Sequence, residues 1–199
     1  MSKRTKPFLS IVIPSYNSKN HYKPLLGSLL KINYPSYEII IIDDGSTDGS
    51  FEEIEKISQK NKNLRIVKTL QKKGIPGSRN FGIEVSKGDF IAFFDMDMEV
   101  DKSWPGTMID VLSQKNVGGV LPKVLDFNNR RVIQAVGFKI DPHTVWVVPK
   151  GYGEVDEGQY TEVEEIAIGA AGSIFKREVI EKVGGFDENL GMFDDIDFG

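Results

Sequence analysis

Apolar positions along the first half of the chain switch repeatedly between strand and helix spacing. Leu9 to Ile13 is a short apolar run ended by Pro14, and Glu38 to Ile42 holds four consecutive isoleucines, the composition of a strand buried on both faces. Between them Tyr22, Leu25, Leu26, Leu29 and Leu30 recur at i, i+3, i+4, i+7 and i+8, which places them on one face of a helix. Ser50 with Glu53 three residues on reads as a capping box, opening a helix that turns Phe51, Ile54 and Ile57 inward. Leu64 to Val67 predicts a third strand, Ser78 to Ser86 a third helix closed by Gly88, and Phe90 to Phe94 a fourth strand.

Strands separated by single helices imply right-handed crossovers, so this half predicts an α/β fold with a mostly parallel sheet and helices on both faces. In a doubly wound sheet of order 3-2-1-4, ligands bind in the crevice beyond the carboxyl ends of the strands, where the chain reverses direction. The loop Pro14-Ser15-Tyr16-Asn17 and the segment Asp95-Met96-Asp97 are therefore expected to be neighbours despite lying far apart in sequence. Tyr16, Asp44 and Asp97 should then share one cavity.

The second half is less regular. Ser103 caps a helix with Trp104, Met108, Val111 and Leu112 on one face, with Pro105 tolerated in its first turn. Strand-like pieces follow at Gly118 to Leu121, Arg131 to Val136 and Val145 to Val148, then Pro149 to Gly158, whose three glycines and three acids predict a mobile surface loop. Gly172 to Phe175 and a helix from Arg177 to Val183 lead into Gly184-Gly185-Phe186-Asp187. No repeat or linker divides the 199 residues, so one domain is expected.

Composition narrows the function. Acidic residues number 29 against 25 basic ones, giving a formal charge of -4, so no basic excess points to nucleic acid. An anionic small ligand would have to arrive with a cation. Without cysteine, disulfides, thiolate nucleophiles and zinc-thiolate sites are excluded. The apolar run behind the charged start is too short for a signal peptide or membrane span, which predicts a cytoplasmic protein whose basic start can touch an anionic membrane surface.

Several motifs could carry chemistry. Asp95 and Asp97 follow an apolar strand, and alternation along an extended chain would send both carboxylates to one side with Met96 opposite. Two such charges suit a Mg²⁺ or Mn²⁺ ion that also receives diphosphate oxygens; they are equally readable as solvated turn carboxylates. Asp43-Asp44-Gly45-Ser46-Thr47-Asp48-Gly49 ends the isoleucine strand, where a carboxylate can accept the imide N–H of a pyrimidine base. Function is favoured for Asp44 and helix capping for Asp48; turn chemistry alone also explains such residues. Gly74 to Asn80 opens a helix whose amino end can attract phosphate, with Arg79 adding charge there or forming a structural ion pair. Near the carboxyl end, Phe193-Asp194-Asp195-Ile196-Asp197-Phe198 could turn its acids towards a cleft, or simply favour a helix dipole. His21 and His143 could each ligate a metal, but isolated histidines of this kind usually need no special role. Trp104 reads as core, and Trp146 and Tyr152 as acceptor contacts.

Taken together, Ser10 to Asn17, Glu38 to Asp48, Gly77 to Gly82, Asp95-Met96-Asp97 and Gly184 to Glu188 with Asp194 to Asp197 strongly resemble glycosyltransferase family 2. The likeness is closest to its rhamnosyltransferase-like branch, through Gln134 to Asp141 and Gly169 to Lys176. It implies a Rossmann-like GT-A fold with a smaller mixed acceptor-side region, and inverting transfer of a sugar from a nucleotide-diphosphate donor to an acceptor hydroxyl in polysaccharide or glycan synthesis. By the same resemblance Pro14, Tyr16 and Asp44 hold nucleobase and ribose, Asp95 contacts the nucleotide, Asp97 binds the metal and Asp195 is the general base beside Asp194. Asn17, Ser46 and Arg79, from the motifs above, complete the candidate donor site. Implied partners are a UDP-, dTDP- or GDP-linked sugar and a saccharide or lipid-linked acceptor. Asp194 stands where the family usually has Glu. The chain stops at Gly199 just before a basic residue that the family normally places next, so the resemblance implies a catalytic domain truncated at its C-terminus. Two other classes compete: a nucleotide-sugar-binding module without catalysis, and a dinucleotide-dependent oxidoreductase. The second is weakened because no G-x-G-x-x-G follows the first strand.

Overall fold

A computed structural model describes residues 6–141, 143, 146–190 and 198. In chain order its elements are β1 (Leu9–Ser15), α1 (Tyr22–Leu29), β2 (Tyr37–Asp43), α2 (Ser50–Ser58), β3 (Leu64–Lys68), α3 (Gly74–Val85), β4 (Phe90–Phe93), α4 (Trp104–Leu112), β5 (Gly119–Val120), β6 (Val124–Leu125), β7 (Ile133–Ala135), β8 (Phe138–Ile140), β9 (Val147–Pro149), β10 (Ile174–Lys176) and α5 (Arg177–Val183). The main sheet runs β3-β2-β1-β4-β10-β5. Its first four strands are parallel, in the expected order, and β10 joins β4 and β5 antiparallel. Two small antiparallel pairs, β6 with β7 and β8 with β9, form the mixed region of the second half.

Alternation along β1 divides the core. Leu9, Ile11 and Ile13 face α1, α2 and α4, in a cluster with Leu25, Leu29, Ile54, Trp104 and Leu112. Val12 faces the other way, with Ile91, Phe93, Phe175, Ile180 and Phe186, so the sheet carries helices on both faces as expected. Ile39, Ile40, Ile41 and Ile42 are all fully buried. At about 1.5–3 kcal/mol per buried side chain, those four contribute on the order of 6–12 kcal/mol before the entropy of ordering the chain is counted. Ser10 interrupts the apolar run without being orphaned: its hydroxyl donates to Glu38 Oε1 at 2.7 Å and accepts the Gly88 amide at 2.8 Å. Trp104 is core, edge-on to Phe94 at 5.1 Å.

Three helix starts differ from expectation. Ser103 is the cap residue of α4, but its hydroxyl donates to Asp101 Oδ1 and makes no cap hydrogen bond to the helix. The Ser50–Glu53 capping box does not form. Gly49, with a φ of 86°, is the cap residue, Asp48 accepts the Ser50 amide at 2.9 Å, and Glu53 instead accepts the Tyr22 hydroxyl at 2.7 Å. Asp48 wins because an Asx turn reaches that amide locally, which frees Glu53 for a partner on α1. The third helix begins at Gly74 rather than Ser78, with Pro76 inside its first turn, because Asp44 closes its amino end. Among the described residues no helix is long and apolar enough to cross a membrane.

Candidate functional site

The loops that follow β1 and β2 are bonded into one unit. Asp44 donates its amide to the Ser15 carbonyl at 2.8 Å, Asn17 donates its amide to Ser46 Oγ at 2.9 Å, and Asn17 Oδ1 accepts the Thr47 amide at 2.8 Å. Lys19 adds an amide bond to Asp48 Oδ2 at 2.9 Å. Asn17 can do this because it adopts a left-handed φ of 49°, a conformation Asn tolerates better than most side chains. Burial works against the charge on Asp48, but the bonds from Ser50 and Lys19 outweigh it and hold the carboxyl below its ordinary range. Behind this unit, burial and the Glu53 bond push the Tyr22 hydroxyl up to about 12, so it remains a donor at neutral pH.

Asp44 is buried, and its carboxylate is largely committed. Oδ1 accepts the Thr69 hydroxyl at 2.9 Å and the Lys73 amide at 2.8 Å, and Oδ2 accepts the Gly74 amide at 2.9 Å. The anion at the amino end of α3 is thus Asp44 itself, which satisfies an amide the helix leaves open and interacts favourably with its dipole. Three donors fill three of about four lone-pair positions on a carboxylate. Among the described residues, one acceptor position remains.

The segment after β4 turns instead of continuing extended: Met98 donates its amide to the Asp95 carbonyl at 3.3 Å. Met96 is buried in the core while Asp97 is exposed. Asp95 Oδ1 accepts from Arg79, whose buried guanidinium lies 3.0 Å away and also sits 5.3 Å from the Phe186 ring centroid.

These loops enclose a cavity of about 430 Å³. Pro14, Tyr16, Asn17, Asp44, Asp95 and Asp97 all line it, so Tyr16, Asp44 and Asp97 do share one space. Ser46 and Arg79 do not line it. The first bonds the Asn17 amide, and the second reaches the cavity through Asp95. Asp194 and Asp195 lie outside the described residues. Ile75 and Ser78, from the Gly74 to Asn80 motif, and His21 also line the cavity, as does Lys72, which no motif singled out. Lys72 Nζ stands 4.0 Å from the Tyr16 ring centroid, a cation–π distance. Ser78 Oγ is buried without a hydrogen-bond partner among the described residues. The rule that loops at the carboxyl ends of strands line the crevice could have found Lys72, which lies between β3 and α3.

Asp95 and Asp97 form an oxygen-donor pair at this cavity, and among the described residues no cluster of three or more His, Cys, Asp or Glu side chains could hold an ion. That donor set fits a hard divalent cation of the kind that takes one or two carboxylates and completes its shell with substrate phosphates and water.

A sequence profile for glycosyl transferase family 2 matches residues 10–184. The chain belongs to that family. Among family relatives, an uncharacterised glycosyltransferase of Haemophilus influenzae is 40% identical over 91 residues, 46% of this chain and 36% of that protein. The poly(ribitol-phosphate) beta-N-acetylglucosaminyltransferase TarS of Staphylococcus aureus is 30% identical over 130 residues, 64% of this chain and 22% of that protein. The chain therefore spans less than half the length of either relative. The structure of S. aureus TarS 1-349 in complex with UDP aligns with a TM-score of 0.73 at 21% identity, covering 96% of this chain and 53% of that one. The mannosyltransferase PcManGT from Pyrobaculum calidifontis, in complex with GDP-Man and Mn²⁺, aligns with a TM-score of 0.69 at 20% identity, covering 98% and 51%. Both likenesses establish the GT-A fold of this family 2 chain.

Proposed function

We propose that the protein is an inverting glycosyltransferase of polysaccharide or glycan synthesis, moving a hexose or deoxyhexose from a UDP-, dTDP- or GDP-linked donor to an acceptor hydroxyl. The observation that carries this is the single cavity holding Tyr16, Asp44 and Asp97, supplied by the loops after β1, β2 and β4. In this reading Tyr16, half exposed at the mouth, stacks the base, and Pro14 and Asn17 shape the wall beside it. The remaining acceptor position of Asp44 takes a base N–H, and Ser46 fixes the Asn17 backbone. Arg79 serves the nucleotide through Asp95, which it orients. A Mg²⁺ or Mn²⁺ ion held by Asp97 with Asp95 would neutralise the diphosphate leaving group. Asp195, beside Asp194, removes the acceptor proton as the acceptor oxygen attacks the anomeric carbon from the side opposite the leaving group.

In this reading the residues belong to one glycosyltransferase domain, with the nucleotide half at about 1–100 and the acceptor half beyond it, set by the doubly wound sheet. Acceptors would be saccharides, free or lipid-linked, contacted from the exposed Trp146 and Tyr152. The chain would work in the cytoplasm, with peripheral contact at a membrane carrying lipid-linked acceptor.

The test is a donor panel of UDP-, dTDP- and GDP-linked sugars, rhamnosyl donors included, read by released nucleoside diphosphate with and without Mn²⁺. Release that depends on an added saccharide acceptor is expected for one donor. No release with any donor or acceptor would sink the reading.

A further inference from the structure

Thr69, the residue after β3, does not line the donor cavity, yet its hydroxyl donates to Asp44 Oδ1 at 2.9 Å. That hydroxyl is presented from a fixed place. The Thr69 amide donates to the Asp43 carbonyl at 2.9 Å, which continues the pairing of β2 with β3 just past Asp43 and Lys68, where their register ends. A β-branched side chain on a backbone held this way has few χ1 choices.

Asp44 needs such a partner, because the χ2 torsion of an aspartate is broad and its own stem does not orient the carboxylate. The Thr69 hydroxyl and the Lys73 amide both go to Oδ1, and the Gly74 amide goes to Oδ2, so the acceptor position left among the described residues is on Oδ2. Two of these three donors are consecutive backbone amides at the start of α3. Thr69 alone grips the carboxylate from the sheet. Without its hydroxyl, Oδ1 regains an open position and the carboxylate is held from one element only.

We propose that Thr69 is a positioning residue of the donor site: its hydroxyl fixes the Asp44 carboxylate so that the open Oδ2 position meets the ring N–H of the nucleobase. This rests on Asp44 being the base contact, as in the reading above. The site then selects a base whose ring carries an N–H beside a carbonyl, as uracil, thymine and guanine do, because an ionised carboxylate accepts and cannot donate. A contact made equally in the ground state and the transition state affects donor KM and not kcat.

The experiment measures calorimetric Kd values in the full chain for the tightest binder among UDP, dTDP and GDP and for its ring-methylated counterpart, N3-methyl for a pyrimidine or N1-methyl for guanine. In the wild type, methylation should weaken binding by about 10-fold or more, since it removes a hydrogen bond to a charged group. Thr69→Val, which keeps the shape and removes the hydroxyl, should weaken the parent nucleotide by about 5- to 10-fold and bring the parent and methylated forms within about twofold of each other. Donor KM should rise with it while kcat stays within about twofold, and Thr69→Ser should restore wild-type values. If Thr69→Val does not fold, Thr69→Ala removes the same hydroxyl and carries the same expectations. Wild-type protein indifferent to ring methylation sinks the base contact at Asp44, and the role of Thr69 with it. Wild-type discrimination kept in full by Thr69→Val overturns the positioning role alone, as does a loss in Thr69→Ser equal to that in Thr69→Val.

Discussion

The Arg79 guanidinium, 1% exposed, donates to Asp95 Oδ1 at 3.0 Å across 16 residues of sequence. A cation this deep needs a fixed anion, and the anion it holds lines the cavity. The pair therefore joins the back of α3 to the mouth of the sheet. Replacing Arg79 with Ala removes both the charge and the packing against Phe186. The expected outcome is a loss of about 2–5 kcal/mol, measured by urea denaturation. Arg79→Lys should recover little of it, because an ammonium on a flexible stem does not reproduce the planar guanidinium over the Phe186 ring. A wild-type urea midpoint in Arg79→Ala would show that the pair is not structural.

A tighter constraint lies on the same helix. A Cβ on Gly82 would come within 2.2 Å of Val12 Cγ1, so α3 sits on β1 closely enough to exclude any side chain there. Gly82→Ala should destabilise the fold by about 1–3 kcal/mol despite its better helix propensity. Val12→Ala opens the space, and the double variant should be more stable than the two single losses summed. Additive losses would mean that the helix relaxes away from the strand at little cost.

Much of this architecture was legible in the chain. The order β3-β2-β1-β4 followed from apolar runs alternating with helical spacing, and the shared cavity followed from that order. The helix starts were less legible, because Ser50, Glu53, Asp48 and Asp44 all carry side chains able to cap, and the α2 start falls to a local Asx turn at Asp48 while the α3 start falls to Asp44, about thirty residues away. Sequence also left Arg79 open between phosphate and ion pair, since its spacing on α3 does not reveal that Phe186 covers it. Asn80 lies inside the Gly74 to Asn80 and Gly77 to Gly82 motifs, but its pairing with the Phe186 backbone gave no signal, because backbone has no residue type to recognise. The expected extended path through Asp95 to Asp97 turns instead, although both carboxylates still line the cavity.

Stacking at Tyr16 can be separated from its hydroxyl. The ring is half exposed and carries the Lys72 ammonium at 4.0 Å. Tyr16→Ala should weaken nucleoside diphosphate binding by about 1–3 kcal/mol, the range for base–aromatic stacking, while Tyr16→Phe should bind nearly as the wild type does. Isothermal calorimetry decides it. Equal weakening in both variants would assign the contribution to the hydroxyl.

Metal dependence is expected to run through Asp97, the exposed member of the acidic pair, rather than through Asp95 alone, which Arg79 already holds. Asp97→Ala should abolish the part of donor binding that Mn²⁺ adds in calorimetry and leave the metal-free part in place. Removing Mn²⁺ from the wild type with a chelator should reproduce the variant. Donor binding that is equally tight in both proteins, with or without metal, would remove Asp97 from this role.

The base is separable from the binding machinery by its kinetics. A carboxylate that takes the acceptor proton acts in the transition state, so its loss should lower kcat and kcat/KM for the acceptor together. General-base assistance is worth about 10²- to 10⁴-fold, and Asp195→Asn, which keeps the shape and removes the basicity, should lose that much turnover. Donor affinity should change by less than about twofold, since a general base acts in the transition state and not in the bound ground state. Asp194→Asn provides the comparison: a smaller loss there and the full loss at Asp195 assigns the proton to Asp195, whereas the reverse order assigns it to Asp194. Steady-state rates with saturating donor and varied acceptor distinguish the two.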